Sequence, residues 1–71
     1  MDRKIAEQVV PALFQAAAQM NNTLLLIQKG CSGEEFAAFR TGTGRAMGYL
    51  YDEVIDPILR EYPDLTPEGI K

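Results

Sequence analysis

The 71-residue sequence contains no histidine, no tryptophan and a single cysteine, Cys31. One cysteine cannot form an intrachain disulfide, and the usual zinc ligand sets need histidine or several cysteines. Without histidine or a second cysteine, the chain also lacks the base or second thiol on which common nucleophilic catalysts depend. We therefore expect no enzyme activity, no metal and no cofactor, and we identify no catalytic, metal-binding or cofactor-binding residue.

Basic residues are few and scattered. Seven Lys or Arg stand against ten Asp or Glu, for a net charge of −3. Nucleic acids and anionic membrane surfaces attract dense basic patches, so neither is an expected partner. Residues 8–28 carry no charge, but their amide and hydroxyl side chains argue against a membrane span. The lone thiol and the lack of a visible secretion signal favour the cytoplasm.

Apolar residues in the first part of the chain recur with a helical period. A helical wheel over residues 3–29 places one set of them on a narrow face: Ile5, Val9, Leu13, Ala16, Met20, Leu24 and Ile27. Further apolar residues widen this face beyond what one neighbouring helix can cover. The sequence predicts a helix over about 3–29, kinked near Pro11, that packs against at least two other helices.

The segment 30–33, Gly-Cys-Ser-Gly, breaks this pattern. Gly30 suits a left-handed position after the end of a helix, because glycine has no Cβ to resist it. Ser32 and Glu35 have the spacing of a capping box, which marks the start of a helix. The segment is therefore predicted to be a turn between two helices.

A second helix is predicted over about 33–62. Its apolar face contains Phe36, Phe39, Thr43, Met47, Leu50, Val54 and Ile58. A kink is possible at Pro57, which lacks a backbone N–H, and Pro63 ends the helix. Residues 63–71 are predicted to form a loose tail or a single turn.

Two long helices joined by a four-residue turn predict an all-α fold: an antiparallel two-helix hairpin over residues 1–62. One core in a chain of this size contributes only about 3–5 kcal/mol of stability. Because no disulfide or zinc site can be built, we expect the hairpin to dimerise into a four-helix bundle.

Three glycines, Gly42, Gly44 and Gly48, interrupt the second helix. Gly44 and Gly48, together with Ala37 and Thr41, suggest a strip of small residues on which another helix backbone packs closely. A ligand contact or a local break in the helix are the alternatives. The predicted interface residues are Val10, Phe14, Leu25, Phe36, Phe39, Arg40, Gly44, Met47, Gly48 and Tyr51.

The remaining polar features have plain interpretations. Arg40 and Arg45 could clamp an anion, but the wheel separates them and favours surface or interface pairing. The acidic patch of Asp52, Glu53 and Asp56 is typical of a solvated helix face. Cys31 is interpreted as a free thiol, with intermolecular crosslinking as the alternative.

Three functions follow from this pattern. The leading hypothesis is a small non-catalytic protein-interaction module that acts as a homodimer. The alternative is a subunit of a hetero-complex, antitoxin-, immunity- or adaptor-like, that buries its second apolar stripe on another protein. A small-ligand-binding bundle, with a pocket lined by Arg40 and Thr43, is the third.

Overall fold

The computed structural model of this chain describes residues 1–67, so the last part of the predicted tail, 68–71, lies outside the described residues. The fold is all-α, with no strand in the described range. The first helix, α1, spans Arg3–Gly30. The second is continuous and has three parts: α2 over Gly33–Tyr49, a π-helical turn over Leu50–Ile55, and α3 over Asp56–Glu61. A short 3₁₀ turn, Pro63–Leu65, follows.

Polar side chains at the boundaries fix where α1 and α2 begin. The Asp2 carboxylate accepts a hydrogen bond from the Lys4 N–H at 3.0 Å, which satisfies one of the free donors of the first turn of α1. The Ser32 hydroxyl accepts from the Glu35 N–H at 3.1 Å and donates to the Glu35 carboxylate at 3.2 Å. Glu34 and Glu35 also place negative charge at the positive end of the α2 dipole.

The prediction that Gly30 has a left-handed backbone conformation is wrong. No described residue of the chain has a positive φ, and Gly30 is the last residue of α1 itself. The helix ends because Cys31 is extended, with φ −125° and ψ 170°, while its N–H still donates to the Ile27 carbonyl. The turn is therefore shorter than predicted, consisting of Cys31 and Ser32.

The π-helical turn lies immediately before Pro57. Proline has no N–H to donate, so the regular hydrogen-bond ladder is already interrupted at this position. Here the Asp56 N–H bonds to the Tyr51 carbonyl, five residues back instead of four.

The structure also corrects the predicted face of the second helix. Val54, predicted to face inward, is 42% exposed, whereas its neighbour Ile55 is completely buried. Ile58 is buried as predicted, but Phe39 is 56% exposed.

The predicted face of α1 is also displaced by one residue along half of its length. The structure buries Ala6, Val10 and Ala17 and leaves Ile5 and Ala16 exposed. Alanine at Ala6 and Ala17 leaves room for a neighbouring helix to approach, and the bulky Ile58 fills that space in the cluster formed with Ala6 and Val10. The residues of α1 that are buried or half-buried at regular spacing, here called the inner seam, are Ala6, Val10, Leu13, Ala17, Met20, Leu24 and Ile27.

Candidate interaction surface

The two ends of the molecule differ in how completely they are packed. We call residues 1–17 and 49–67 the terminal half, and residues 18–48 the turn half. All five buried residues lie in the terminal half: Ala6, Val10, Ala17, Ile55 and Ile58. No residue of the turn half is buried, although the structure describes all of it.

Polar contacts tie the beginning of α1 to the end of the described chain. The amino group of Met1 pairs with Glu61 at 3.2 Å. Arg3 forms a two-pronged salt bridge with Asp64 and lies over the ring of Tyr62, 5.6 Å from its centre. The Tyr62 hydroxyl donates to the Met1 carbonyl. These contacts hold the beginning of α1 and residues 61–64 together beside the core of the terminal half.

These contacts also change the acid–base behaviour of two groups. The hydrogen bond and charge of Asp64 raise the pKa of the Arg3 guanidinium further above its ordinary range. Loss of solvation, followed by the charges of Glu61 and Asp2, raises the pKa of the Tyr62 phenol above its ordinary value of 10.0. Tyr62 therefore keeps its proton, and its hydrogen bond, to higher pH than a free tyrosine.

The turn half exposes large apolar side chains instead. Leu25 and Leu26 on α1 are 47% and 69% exposed, and Phe39 on α2 is more than half exposed. Its side-chain hydrogen bonds are local: Thr23 bonds to the carbonyl of Met20, Thr41 to that of Ala37, and Ser32 to Glu35. The terminal half also exposes large apolar side chains, Met1, Ile5, Tyr49 and Val54, but it buries others, whereas the turn half buries none.

The predicted interface residues divide into three groups in the structure. Val10 belongs to the intrachain core and offers almost no surface to a partner. The half-buried members are Phe14, Phe36, Met47 and Tyr51. The exposed members are Leu25, Phe39, Arg40, Gly44 and Gly48.

Phe14 and Tyr51 are brought together by the two helices. Their ring centres are 5.9 Å apart with an interplanar angle of 68°, the edge-to-face arrangement that aromatic pairs prefer. This pair lies where the packed terminal half gives way to the turn half.

The glycine strip has no neighbour within the chain. A Cβ atom placed on Gly42, Gly44 or Gly48 meets nothing within 4 Å. The close helix approach that the sequence suggests therefore does not occur between α1 and α2.

Arg45 and Gly48, which were considered for ligand contact, line the same shallow depression, whereas Arg40 and Thr43 do not. Two shallow depressions lie on the described surface, one lined by Arg45, Gly48, Tyr49 and Asp52, and the other by Ala12, Gln15, Ala16, Ala18, Gln19 and Asn22. Arg40 and Thr43 line neither. Cys31 is an exposed free thiol, and the described residues contain no cluster of three or more potential metal ligands.

Sequence reasoning missed a second stripe on α1. Each of its residues immediately precedes a residue of the inner seam. Its members, here called the outer stripe, are Ile5, Val9, Ala12, Ala16, Gln19, Thr23 and Leu26. All are exposed except Val9, which is half-buried. The signal for it was present as a repeat with spacing 4, 3, 4, 3, but the larger apolar residues were assigned to one merged face.

Comparisons with protein-family models, with curated proteins and with solved structures give no match to this chain. Within residues 1–67 no helix has both the length and the apolar character needed to cross a membrane.

Proposed function

We propose that this chain is a small, non-catalytic protein-interaction module: an α-helical hairpin that self-associates into a homodimeric four-helix bundle. The observation that carries the proposal is the absence of buried residues in the turn half, where apolar side chains of both helices remain exposed. Apolar surface of this kind is stabilised by removal from water, at about 25 cal/mol for each Å² covered.

The contacts between the chain ends support the hairpin. Arg3 meets Asp64, while Phe14 meets Tyr51 further along the molecule. As the residue number rises on α1, the number of its partner falls, which is the order expected of two antiparallel helices.

The size of the exposed surface supports the dimer. The chain has an accessible surface of 5175 Å², whereas a compact monomer of its mass exposes about 4400 Å². The excess of roughly 750 Å² is close to the ~800 Å² that each partner covers in a standard protein–protein interface. The radius of gyration, 14.5 Å, likewise exceeds the ~11 Å expected of a compact chain of this length.

The acidic outer surface is the proposed contact for a protein partner. Asp52 and Glu53 are exposed and Asp56 is half-buried at the edge of the terminal half. An arrangement of like charges raises the association rate with a basic surface of another protein. The exposed thiol of Cys31 favours a reducing compartment, so we propose that the protein acts in the cytoplasm.

Light scattering after size exclusion, with helicity measured on the same samples, tests the proposal. A strongly helical dimer that persists on dilution is the expected result. A well-folded monomer at high concentration contradicts self-association. A monomer of low helicity contradicts it too, and favours the hetero-complex alternative, in which a different protein covers the turn half; a stoichiometric partner that co-purifies with untagged protein identifies that case.

A further inference from the structure

The outer stripe of α1 has the position of a second helix–helix contact. Each of its residues precedes a seam residue by one, so it is rotated from the inner seam by about 100° around the helix. A helix in a four-helix bundle contacts two neighbours at roughly this angle. The inner seam faces the second helix, and the outer stripe is exposed except at Val9, which packs half-buried against the core cluster.

The chemistry of the outer stripe suits burial against protein. No charged residue occurs between Gln8 and Gln28. Thr23 satisfies its hydroxyl locally by donating to the Met20 carbonyl at 2.7 Å, so it can present its methyl group outward. Gln19 is then the one side chain of the stripe that needs a hydrogen-bond partner, and covering the stripe carries a small desolvation cost.

The stripe is complementary to a reversed copy of itself. Its most exposed aliphatic residues, Ile5 and Leu26, stand at opposite ends, and the exposed alanines lie in the middle. When two copies of α1 run antiparallel around a two-fold axis near Ala16, Ile5 of one copy faces Leu26 of the other. Ala16 meets its own copy at the axis, where short side chains let the backbones approach.

The charge distribution selects the antiparallel orientation. The turn half has three basic and two acidic residues, a net charge of +1, whereas residues 1–17 and 49–67 have three basic and seven acidic residues, a net charge of −4. Parallel packing places the two acidic halves side by side, and like charges repel. Antiparallel packing places each acidic half beside the weakly basic half of its partner.

We infer that the occupant of the outer stripe is a second copy of this chain, bound through an antiparallel α1–α1 contact centred near Ala16. This inference rests on the proposed homodimer and gives it a surface and an orientation. In this dimer the closed terminal half of one protomer covers the open turn half of the other.

Disulfide trapping tests the orientation. Two single-cysteine variants in a Cys31→Ser background, Ile5→Cys and Leu26→Cys, are mixed and oxidised gently. Both positions are about half exposed or more, so the variants should keep wild-type helicity. The expected product is the mixed dimer joined from residue 5 to residue 26, formed at least tenfold faster than either symmetric disulfide.

The outcomes separate this inference from the proposed function. Light scattering on the unoxidised variants first establishes the mass. A dimer that forms only the symmetric disulfides, or none, overturns the antiparallel contact and leaves the homodimer intact. A monomer overturns both.

A charge introduced at the axis gives a second readout that does not depend on oxidation. Ala16→Arg places two like charges at the closest approach of the helices, so we expect dimer dissociation to increase at least tenfold. Ala18→Arg is the matched control: it is an exposed alanine on the same helix, outside the outer stripe. Equal weakening by both variants, or weakening by Ala18→Arg alone, contradicts the assigned surface.

Discussion

The terminal half and the turn half contain the same two helices but are held together differently. The terminal half has every buried residue, the Met1–Glu61 and Arg3–Asp64 ion pairs and the Tyr62 hydrogen bond. The turn half has a capping serine, local hydrogen bonds and exposed leucines. Among the described residues, buried side chains thus occur at one end of the helix pair and not in the turn half.

The two halves also differ in where their bulky and small residues lie relative to the neighbouring helix. In the terminal half, alanine at position 6 lies in a cluster with Ile58, and Ile55, within the π-helical turn, is completely buried. In the turn half, bulky residues occur on the flanks, where the neighbouring helix does not reach them. The apolar side chains of the terminal half thus include a buried core, whereas those of the turn half are half-buried or exposed.

The largest expected effect comes from truncating the core of the terminal half. Ile55→Ala removes a fully buried side chain and should cost about 2–5 kcal/mol, enough to unfold most of a chain this small. Val54→Ala, one residue earlier, should change the free energy of unfolding by less than about 0.5 kcal/mol. Urea denaturation measures both; a larger loss at Val54 would contradict the burial assigned to Ile55.

A smaller effect is expected in the turn half, on association rather than folding. Phe39→Ala removes an exposed ring that the proposed dimer covers, and should weaken the dimer about tenfold, or about 1.4 kcal/mol. Tyr49→Ala, at the most exposed large apolar residue of the chain, is the control and should leave the dimer unchanged. Dimer dissociation is followed by light scattering on dilution, and unchanged association in Phe39→Ala contradicts a role for this ring.

The glycine strip should respond in the opposite direction. Because nothing lies near Gly44 or Gly48, Gly44→Ala and Gly48→Ala should each stabilise the helix by about 0.5–1 kcal/mol, with dimerisation retained. Thermal unfolding at several protein concentrations checks this. Loss of the dimer in either variant would mean that a partner helix packs on this strip instead of on the outer stripe.

The smallest expected effect is a change in the free energy of unfolding at high pH. The raised pKa of Tyr62 means that the unfolded chain releases this proton at lower pH than the folded chain does. The folded state then holds more protons, so stability falls as pH rises above about 10. Tyr62→Phe should show a shallower decline than wild type over that interval. Tyr49→Phe, at an exposed position, should match wild type; equal slopes in all three proteins would contradict the contribution of Tyr62.

The sequence predicted the all-α class and the start of the second helix, because helical periodicity and a capping serine are local signals. It placed the faces less well. Val54 was placed inward where Ile55 is buried, because both residues fit a helical spacing that ends at Ile58 and the wheel does not decide between them. It also favours large residues over small ones, so Ile5 was placed inward and Ala6 was not.

The interaction surface was predictable only in part. Exposed Leu25 and Phe39 were among the expected interface residues, whereas Val10 proved to belong to the core. Three members of the outer stripe, Ile5, Val9 and Ala16, were assigned to the same face as residues of the inner seam, so the two were not separated. Its regular spacing became visible once the inner seam was assigned.

Hydrogen exchange of backbone amides at a series of protein concentrations tests the central claim most directly. If a second copy covers the turn half, amides of residues 18–48 should lose at least tenfold of their protection as the dimer is diluted below its dissociation constant, while those around Val10 and Ile58 lose much less. The account is contradicted if the protection of the turn half stays unchanged over a hundredfold dilution while the mass of the samples changes from dimer to monomer.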